Sequence, residues 1–310
     1  MSLALCIPAY NAAEFLPGLL EDAARQTKPF DEIWVHDDAS TDGTGALAER
    51  LGARVLRSDQ NVGCSLGKHR LLEATACDLV HFHDADDGLM PDFVAVSLEA
   101  MSRKVDVLLV GYEYREHPDD TLLAIRTFDD AALQADPVAY TIREPINTIC
   151  GVYRRQAVLE AGGYKVPQSQ LYNEDQAFHC RLARHGLRFR GLSSVHLISR
   201  RVNGSMSEGA RLACVSAQYE VLAQAAAESE PQHHSAISTR LWQISAVAAS
   251  LKDWRVADRA ALLASELAGQ GPGEGHAAYR WLARRAPRVA IRLREQAIGW
   301  LGKRPVEERP

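Results

Sequence analysis

The chain has 310 residues, 46% hydrophobic and 24% charged, with a formal net charge of −5, a composition ordinary for a soluble globular protein of one large α/β domain with an appendage, or two modest domains. No run approaches the roughly 18 uninterrupted apolar residues of a transmembrane helix, and the N-terminus "MSLALCIPAYN" lacks the basic region of a secretory signal. The six cysteines contain no CxxC pair, which removes zinc spacing and favours a reducing cytoplasm.

Charge is spread unevenly. From His276 to Arg304 eight basic residues face Glu295 alone; that segment is +7 against −5 for the whole chain, so the remainder carries −12.

In chain order, "LALCIP" (Leu3–Pro8), "EIWVHD" (Glu32–Asp37), "ARVLRS" (Ala53–Ser58) and "LVHFHD" (Leu79–Asp84) read as strands. Between them Glu14–Gln26, Gly43–Leu51 and Ser65–Ala76 repeat apolar residues at three and four, as helices do, with Pro17 in a first turn where its missing N–H costs little. The alternation predicts a parallel sheet covered on both faces. Val105–Tyr114 reads as a further strand, His117–Pro145 as irregular, and helices are expected up to Gly162–Gly163 and over Glu174–His185. From Arg211 the chain turns Ala-rich and helical, broken at Gly269–Gly275.

"HFHDADDGLMPD" (His81–Asp92) crowds four carboxylates into twelve residues, an arrangement that raises their pKa values unless a cation or donors share the load. The expected strands place Pro8-Ala9-Tyr10-Asn11, Asp37-Asp38 and Asp84-Ala85-Asp86-Asp87 past strand ends on one edge of one sheet, where open α/β sheets bind ligands. Taken singly, each cluster is also what a helix cap or a turn looks like, with Asp92 a candidate cap for the helix that follows. Together they suit a hard divalent cation and the phosphates it bridges.

"IPAYN", "VHDDASTDGT", "NVG…GKHR", "HDADDGLMPD", "YNEDQAFHCRLARHGLRF" and "LISRRVNGSMS", in this order and spacing, resemble the family-2 glycosyltransferases of GT-A fold over roughly residues 3–207. The resemblance implies a Rossmann-like, mostly parallel sheet flanked by helices over 1–210; the Ala-rich helical pattern after it makes 211–310 a helical extension. It implies an inverting transfer from a nucleotide-sugar donor, a UDP-sugar, to the hydroxyl of a saccharide, lipid-linked or other acceptor, as in polysaccharide biosynthesis. Asp38 would accept from the nucleobase, and Pro8, Ala9 and Tyr10 would wall it. Asp84 and Asp86 stand as the DXD motif, with Mn²⁺ or Mg²⁺ on Asp86 and Asp84 near the ribose and diphosphate. Asp175 takes the general-base position, with Glu174 as second candidate. Arg200 and Arg201 fall where a flexible loop closes over the diphosphate. Lys68-His69-Arg70 stands where the family often has "ARN", a departure that leaves that helix's contacts open.

Rival readings remain. "GCSLG" (Gly63–Gly67) fits the nucleophile elbow of a serine hydrolase, with late histidines (His196, His233, His234, His276) to complete a triad, but the polar "SDQN" before it spoils the sharp turn. A non-catalytic nucleotide-sugar-binding domain is a second alternative. His81 and His83 share one strand face, which suits packing; His196 is a candidate for the metal. The basic C-terminal segment, 276–304, with Trp281 and Trp300 and divided by Pro287, either packs its apolar side on the body or lies peripherally on the inner face of a membrane. The acidic body argues against nucleic acid.

Overall fold

The computed structural model describes residues 1–202, 209–269 and 271–300. Residues 203–207 of the last loop motif, part of the Gly269–Gly275 break, and Lys303 and Arg304 of the basic segment lie outside the described residues. The early alternation of runs folds into strands β1 (Leu3–Ala9), β2 (Glu32–Asp37), β3 (Arg54–Arg57) and β4 (Leu79–Phe82), joined through helices α1 (Leu16–Ala24), α2 (Thr44–Arg50) and α3 (Cys64–Ala74). Pro17 sits in the first turn of α1. Beyond β4 come β5 (Gly88–Leu89), α4 (Phe93–Ala100), β6 (Val107–Glu116), β7 (Leu122–Arg126), α5 (Asp130–Ala135), α6 (Pro137–Arg143), β8 (Gly151–Arg154), α7 (Arg155–Glu160), α8 (Glu174–Arg184) and β9 (Phe189–Arg201).

The strands form one mixed sheet in the order β3-β2-β1-β4-β8-β6-β9-β5, with β7 also on β6. β1 lies between β2 and β4 and is parallel to both, registered Ala9 to Asp37 and Cys6 to Phe82. The chain therefore leaves β1 towards one side and returns on the other, which makes the β1/β4 boundary a switch point with a crevice beyond the strand ends. β8 runs antiparallel between β4 and β6, while β9 returns to parallel beside β6. The start of that last pairing is tied by Asp106, whose carboxylate takes Arg188 Nε at 2.8 Å, Nη2 at 2.9 Å and its backbone N–H at 3.0 Å. These bonds hold the Asp106 carboxyl below its usual range.

Two segments differ from expectation. His117–Pro145 holds β7, α5 and α6 instead of irregular chain; β7 exposes Leu122, Leu123 and Ile125, so it shows no core-facing alternation to read. Arg200 and Arg201 end strand β9, opposite Arg115 and Glu116 of β6, where a free loop was expected. Register shifts beside Gly111 break the alternation of this strand pair.

The chain divides into two compact units: Met1–Tyr140, Ile146–Val166 and the described part of 181–205; and Thr141–Pro145, Pro167–Cys180 and the described part of 206–310. The first holds the sheet and its core, with Leu3, Leu5, Ile7, Leu16, Phe93, Leu108 and Val110 fully buried. In the second, α9 (Arg211–Glu228) packs on a 3-10 turn, Gln168–Asn173, through Gln170 and Gln224, Nε2 to Oε1 at 2.6 Å. Helices α10 (His234–Ser250) and α11 (Trp254–Ala268) meet through small residues. Ser238 Oγ donates to the Ala264 carbonyl at 2.7 Å and Ser245 Oγ to that of Ala257 at 2.8 Å, a pairing that runs in opposite senses and so makes the helices antiparallel. Helices α12 (Ala277–Ala283) and α13 (Pro287–Trp300) follow, the latter opened by Pro287. Among the described residues no helix is long and apolar enough to cross a membrane.

The expected stop at Gly162–Gly163 has a packing reason. Gly163 has φ +69°, and a Cβ there would lie 2.4 Å from His69 Nδ1, the atom that accepts the Tyr164 N–H at 3.3 Å. We expect Gly163→Ala to lose about 3 kcal/mol, left-handed strain plus the clash. A urea midpoint shift at unchanged slope is the readout.

Candidate active site

The loops past β1 and β2 are bolted together. Asn11 donates its N–H to Ser40 Oγ at 3.0 Å and accepts the Thr41 N–H on Oδ1 at 2.9 Å. Ala12 and Ala13 donate to Thr44 Oγ1 and Asp42 Oδ2, at 2.9 and 3.0 Å. Of the expected base-binding wall, Ala9 is buried, Pro8 half-buried and Tyr10 54% exposed, so the Tyr10 ring is available to a ligand.

Asp38 is 4% exposed, and its backbone N–H extends the β1 pairing to Ala9. Its carboxylate accepts the Val62 N–H on one oxygen and the Gly63 N–H on the other, both at 2.8 Å. Gly63 is the N-cap of α3 and brings no side chain to that end, so Asp38 holds the entrance of this helix from outside. Five residues on, about 7.5 Å along the axis, Lys68 Nζ lies 3.9 Å from Asp84 Oδ1 with its side chain 3% exposed. The ammonium also sits over the Tyr164 ring, 5.1 Å from its centroid. One helix thus joins the Asp38 loop to the acidic turn past β4.

That turn is pinned at both ends. The His83 N–H continues the β1/β4 ladder to Cys6, the Asp87 N–H closes on the Asp84 carbonyl at 3.2 Å, and Gly88–Leu89 then pairs with β9. Burial pushes the Asp86 carboxyl up. Asp87 is pushed well up by burial and then by the charges of Asp84 and Asp86, against the pull of Arg200. Arg200 donates its backbone N–H to Asp87 Oδ1 at 2.7 Å. Its guanidinium lies so close to Gly88 that a Cβ there would meet Nη1 at 2.8 Å, beside Asp22. Behind the turn, His81 Nδ1 lies 2.9 Å from the Gly151 carbonyl and so must donate to it, which leaves Nε2 to accept from His83 Nδ1 at 2.9 Å. Burial takes the His81 pKa down to about 4 and His83 well below its usual value, so both rings are neutral packing groups.

Other candidates are occupied differently. Arg201 is paired with Glu116 through both Nε and Nη2. His196 meets Asp92 Oδ1 at 2.8 Å and Ser194 Oγ at 2.9 Å, so both ring nitrogens are taken, and Asp92 makes no side-chain cap bond to α4. Ser65, the would-be hydrolase nucleophile, is buried in the first turn of α3 and donates to the Tyr164 carbonyl at 3.1 Å. Glu174 and Asp175 belong to the second unit and open α8, where negative charge suits the helix dipole. Gln176 Nε2 anchors that end to the Ile142 carbonyl at 3.2 Å, and His179 Nδ1 donates to the Asp175 carbonyl at 2.7 Å. The contact that the sequence left open at Lys68 is to the acidic turn, at Asp84. The signal was there: Ser65, Lys68 and Leu72 fall at the spacing of one helix face, and that face is the buried one.

Residues 4–159, just over half of the chain, match the sequence profile of the family described as Glycosyl transferase family 2. The amylovoran biosynthesis glycosyltransferase AmsE of Erwinia amylovora is 28% identical over 179 residues, 54% of this chain and 65% of that protein. Across three curated relatives the chain spans 44 to 65% of their length. Among solved structures, Staphylococcus aureus TarS 1–349 in complex with UDP-GlcNAc is similar with a TM-score of 0.73 at 18% identity, over 98% of this chain and 93% of that one. The mannosyltransferase PcManGT of Pyrobaculum calidifontis, in complex with GDP-Man and Mn²⁺, gives 0.58 at 17% identity, over 95% and 86%. These two likenesses are of fold.

Asp38→Ala would strand the Val62 and Gly63 N–H groups and is expected to cost about 2–3 kcal/mol of unfolding free energy. Ser65→Ala should cost only about 1 kcal/mol, one neutral hydrogen bond. Urea unfolding measures both, and a fluorophosphonate probe should leave Ser65 unlabelled.

Proposed function

The chain belongs to glycosyl transferase family 2, and from that premise we propose that it transfers a sugar from a nucleoside-diphosphate donor, a UDP-sugar, to an acceptor hydroxyl with inversion. The observation that carries this reading is the arrangement at α3: Asp38 holds the entrance of the helix, and one and a half turns later Lys68 meets the crowded Asp84–Asp87 turn. Donor-bound relatives of the same fold, with UDP-GlcNAc in TarS and GDP-Man and Mn²⁺ in PcManGT, support a nucleotide-sugar donor and a divalent cation. The amylovoran relative supports a role in polysaccharide biosynthesis. Catalysis is assigned to 1–210, with 211–310 as a helical extension. Six free cysteines and a nucleotide-sugar donor support a reducing, cytoplasmic setting.

Asp84 and Asp86 fit a hard cation. They offer oxygen donors; burial raises the Asp86 and Asp87 carboxyls, and at Asp87 the charges of Asp84 and Asp86 add to it, a load that a cation would relieve. Among the described residues no three ligating side chains form a group, which fits an ion held by one or two carboxylates plus substrate phosphate and water. When bound, Mn²⁺ or Mg²⁺ supplies Lewis-acid stabilisation to the leaving diphosphate.

The chain's own residues do the rest. Tyr10 gives the base an aromatic face, and Pro8 and Ala9 close its edge. Asp38 has lone pairs beyond the two used for Val62 and Gly63, and these accept from the base. The Arg200 guanidinium adds positive charge beside the diphosphate; Arg201, held by Glu116, serves through the same strand end. Asp175 Oδ takes the proton of the attacking hydroxyl, with Glu174 as second candidate, and attack opposite the leaving group inverts the anomeric centre through an oxocarbenium-like state.

Asp175→Asn is expected to lower kcat by ~10²–10⁴ while donor binding survives; near-normal turnover would move the base elsewhere. A UDP-sugar with Mn²⁺ should raise the melting temperature, and EDTA or Asp86→Ala should remove that gain. Binding without UDP release in the presence of acceptor would instead favour a non-catalytic binding domain.

A further inference from the structure

We propose that helices α12 and α13 form a docking surface for an anionic lipid bilayer. The ordinary surface helix packs one apolar stripe and shows water a polar one. Here α13 carries apolar side chains on both faces. Ala290 and Ile291 are fully buried, while Val289, Leu293 and Trp300 are 49, 50 and 91% exposed. At i, i+4 and i+11 those three share one outward stripe. Trp281 of α12 is also more than half exposed, with Arg285 stacked on its ring at 4.4 Å.

The charge around this stripe is unbalanced. Arg292 is paired with Asp258 at 2.8 Å and Lys252 with Glu295 at 3.2 Å, so those cations are neutralised within the fold. Arg280, Arg284, Arg285 and Arg288 are exposed, and no carboxylate among the described residues pairs with them. An exposed apolar stripe ended by Trp300, with unneutralised arginines and a second exposed tryptophan on the short helix and turn just before it, matches the headgroup boundary of an anionic bilayer: arginines reach phosphates, indoles sit among headgroups, and Leu293 enters the acyl edge. A purely polar anion would leave the stripe without a partner, and a neutral apolar surface would leave the arginines without one.

The test is flotation of the full chain with phosphatidylcholine vesicles, with and without phosphatidylglycerol, at about 0.1 M salt. The chain should rise with the anionic vesicles only. It should detach at about 1 M salt, where the screening length falls from roughly 10 to 3 Å. Arg285→Glu with Arg288→Glu should lower the bound fraction about tenfold or more, and Leu293→Ala with Trp300→Ala should do likewise. All four side chains are exposed, and an unchanged melting temperature confirms that the variants fold. No flotation on either vesicle, or flotation unaffected by both double variants, overturns the proposal. So does self-association or nucleic-acid retention that the same substitutions abolish while vesicles are ignored. The readout involves no sugar transfer, so it stands or falls apart from the proposed activity.

Discussion

A buried ammonium facing crowded carboxylates is the constraint around which the first unit is arranged. Lys68 reaches Asp84 from inside the protein, with its side chain almost wholly removed from water. An unpaired charge in that position would cost several kcal/mol, so the helix that carries it must stand in one place. Three contacts put it there: Asp38 at its entrance, the Tyr164 carbonyl on Ser65, and the Tyr164 N–H on His69. Gly163 makes the last two compatible, because only a residue without Cβ lets the 162–165 turn lie against the imidazole.

The acidic turn depends on the same logic from the other side. Three carboxylates within four residues repel one another, and the fold answers with Lys68 and with Arg200 at the end of β9. The β5/β9 pairing brings Arg200 to Asp87 through its backbone as well as its charge. The arginine is therefore part of the turn's architecture, and its guanidinium is presented from a strand end.

Much of this was legible in the sequence because strand ends are legible. Apolar runs closing on Asp38 and Asp84 announce both where the strands stop and what stands beyond them, and Pro17 and Gly163 mark helix boundaries by their own stereochemistry. The partner of Lys68 stayed open because a lysine in a helix reads as solvated, and only the acidic turn facing it in the fold reverses that. Arg200 was expected in a loop because the family resemblance puts one there; here regular pairing from Leu197 to Arg201 keeps it in β9, past the register shifts beside Gly111. Asp92 resembled a cap, but the carboxylate found His196, a partner 104 residues away that no local rule contains. The outward stripe of α13 could not be separated from a packed one until Ile291 was seen inside and Leu293 outside.

On the proposed reading, in which Asp38 reads the base as well as holding Val62 and Gly63, the chain is constrained in how it could change its donor. Both carboxylate oxygens hold the chain at the mouth of α3, so altering the residue to suit a different nucleobase would also loosen the helix that brings Lys68 to Asp84. Drift in nucleotide preference would have to begin elsewhere, in the Val62–Gly63 segment or around Tyr10, with the aspartate among the last positions free to vary.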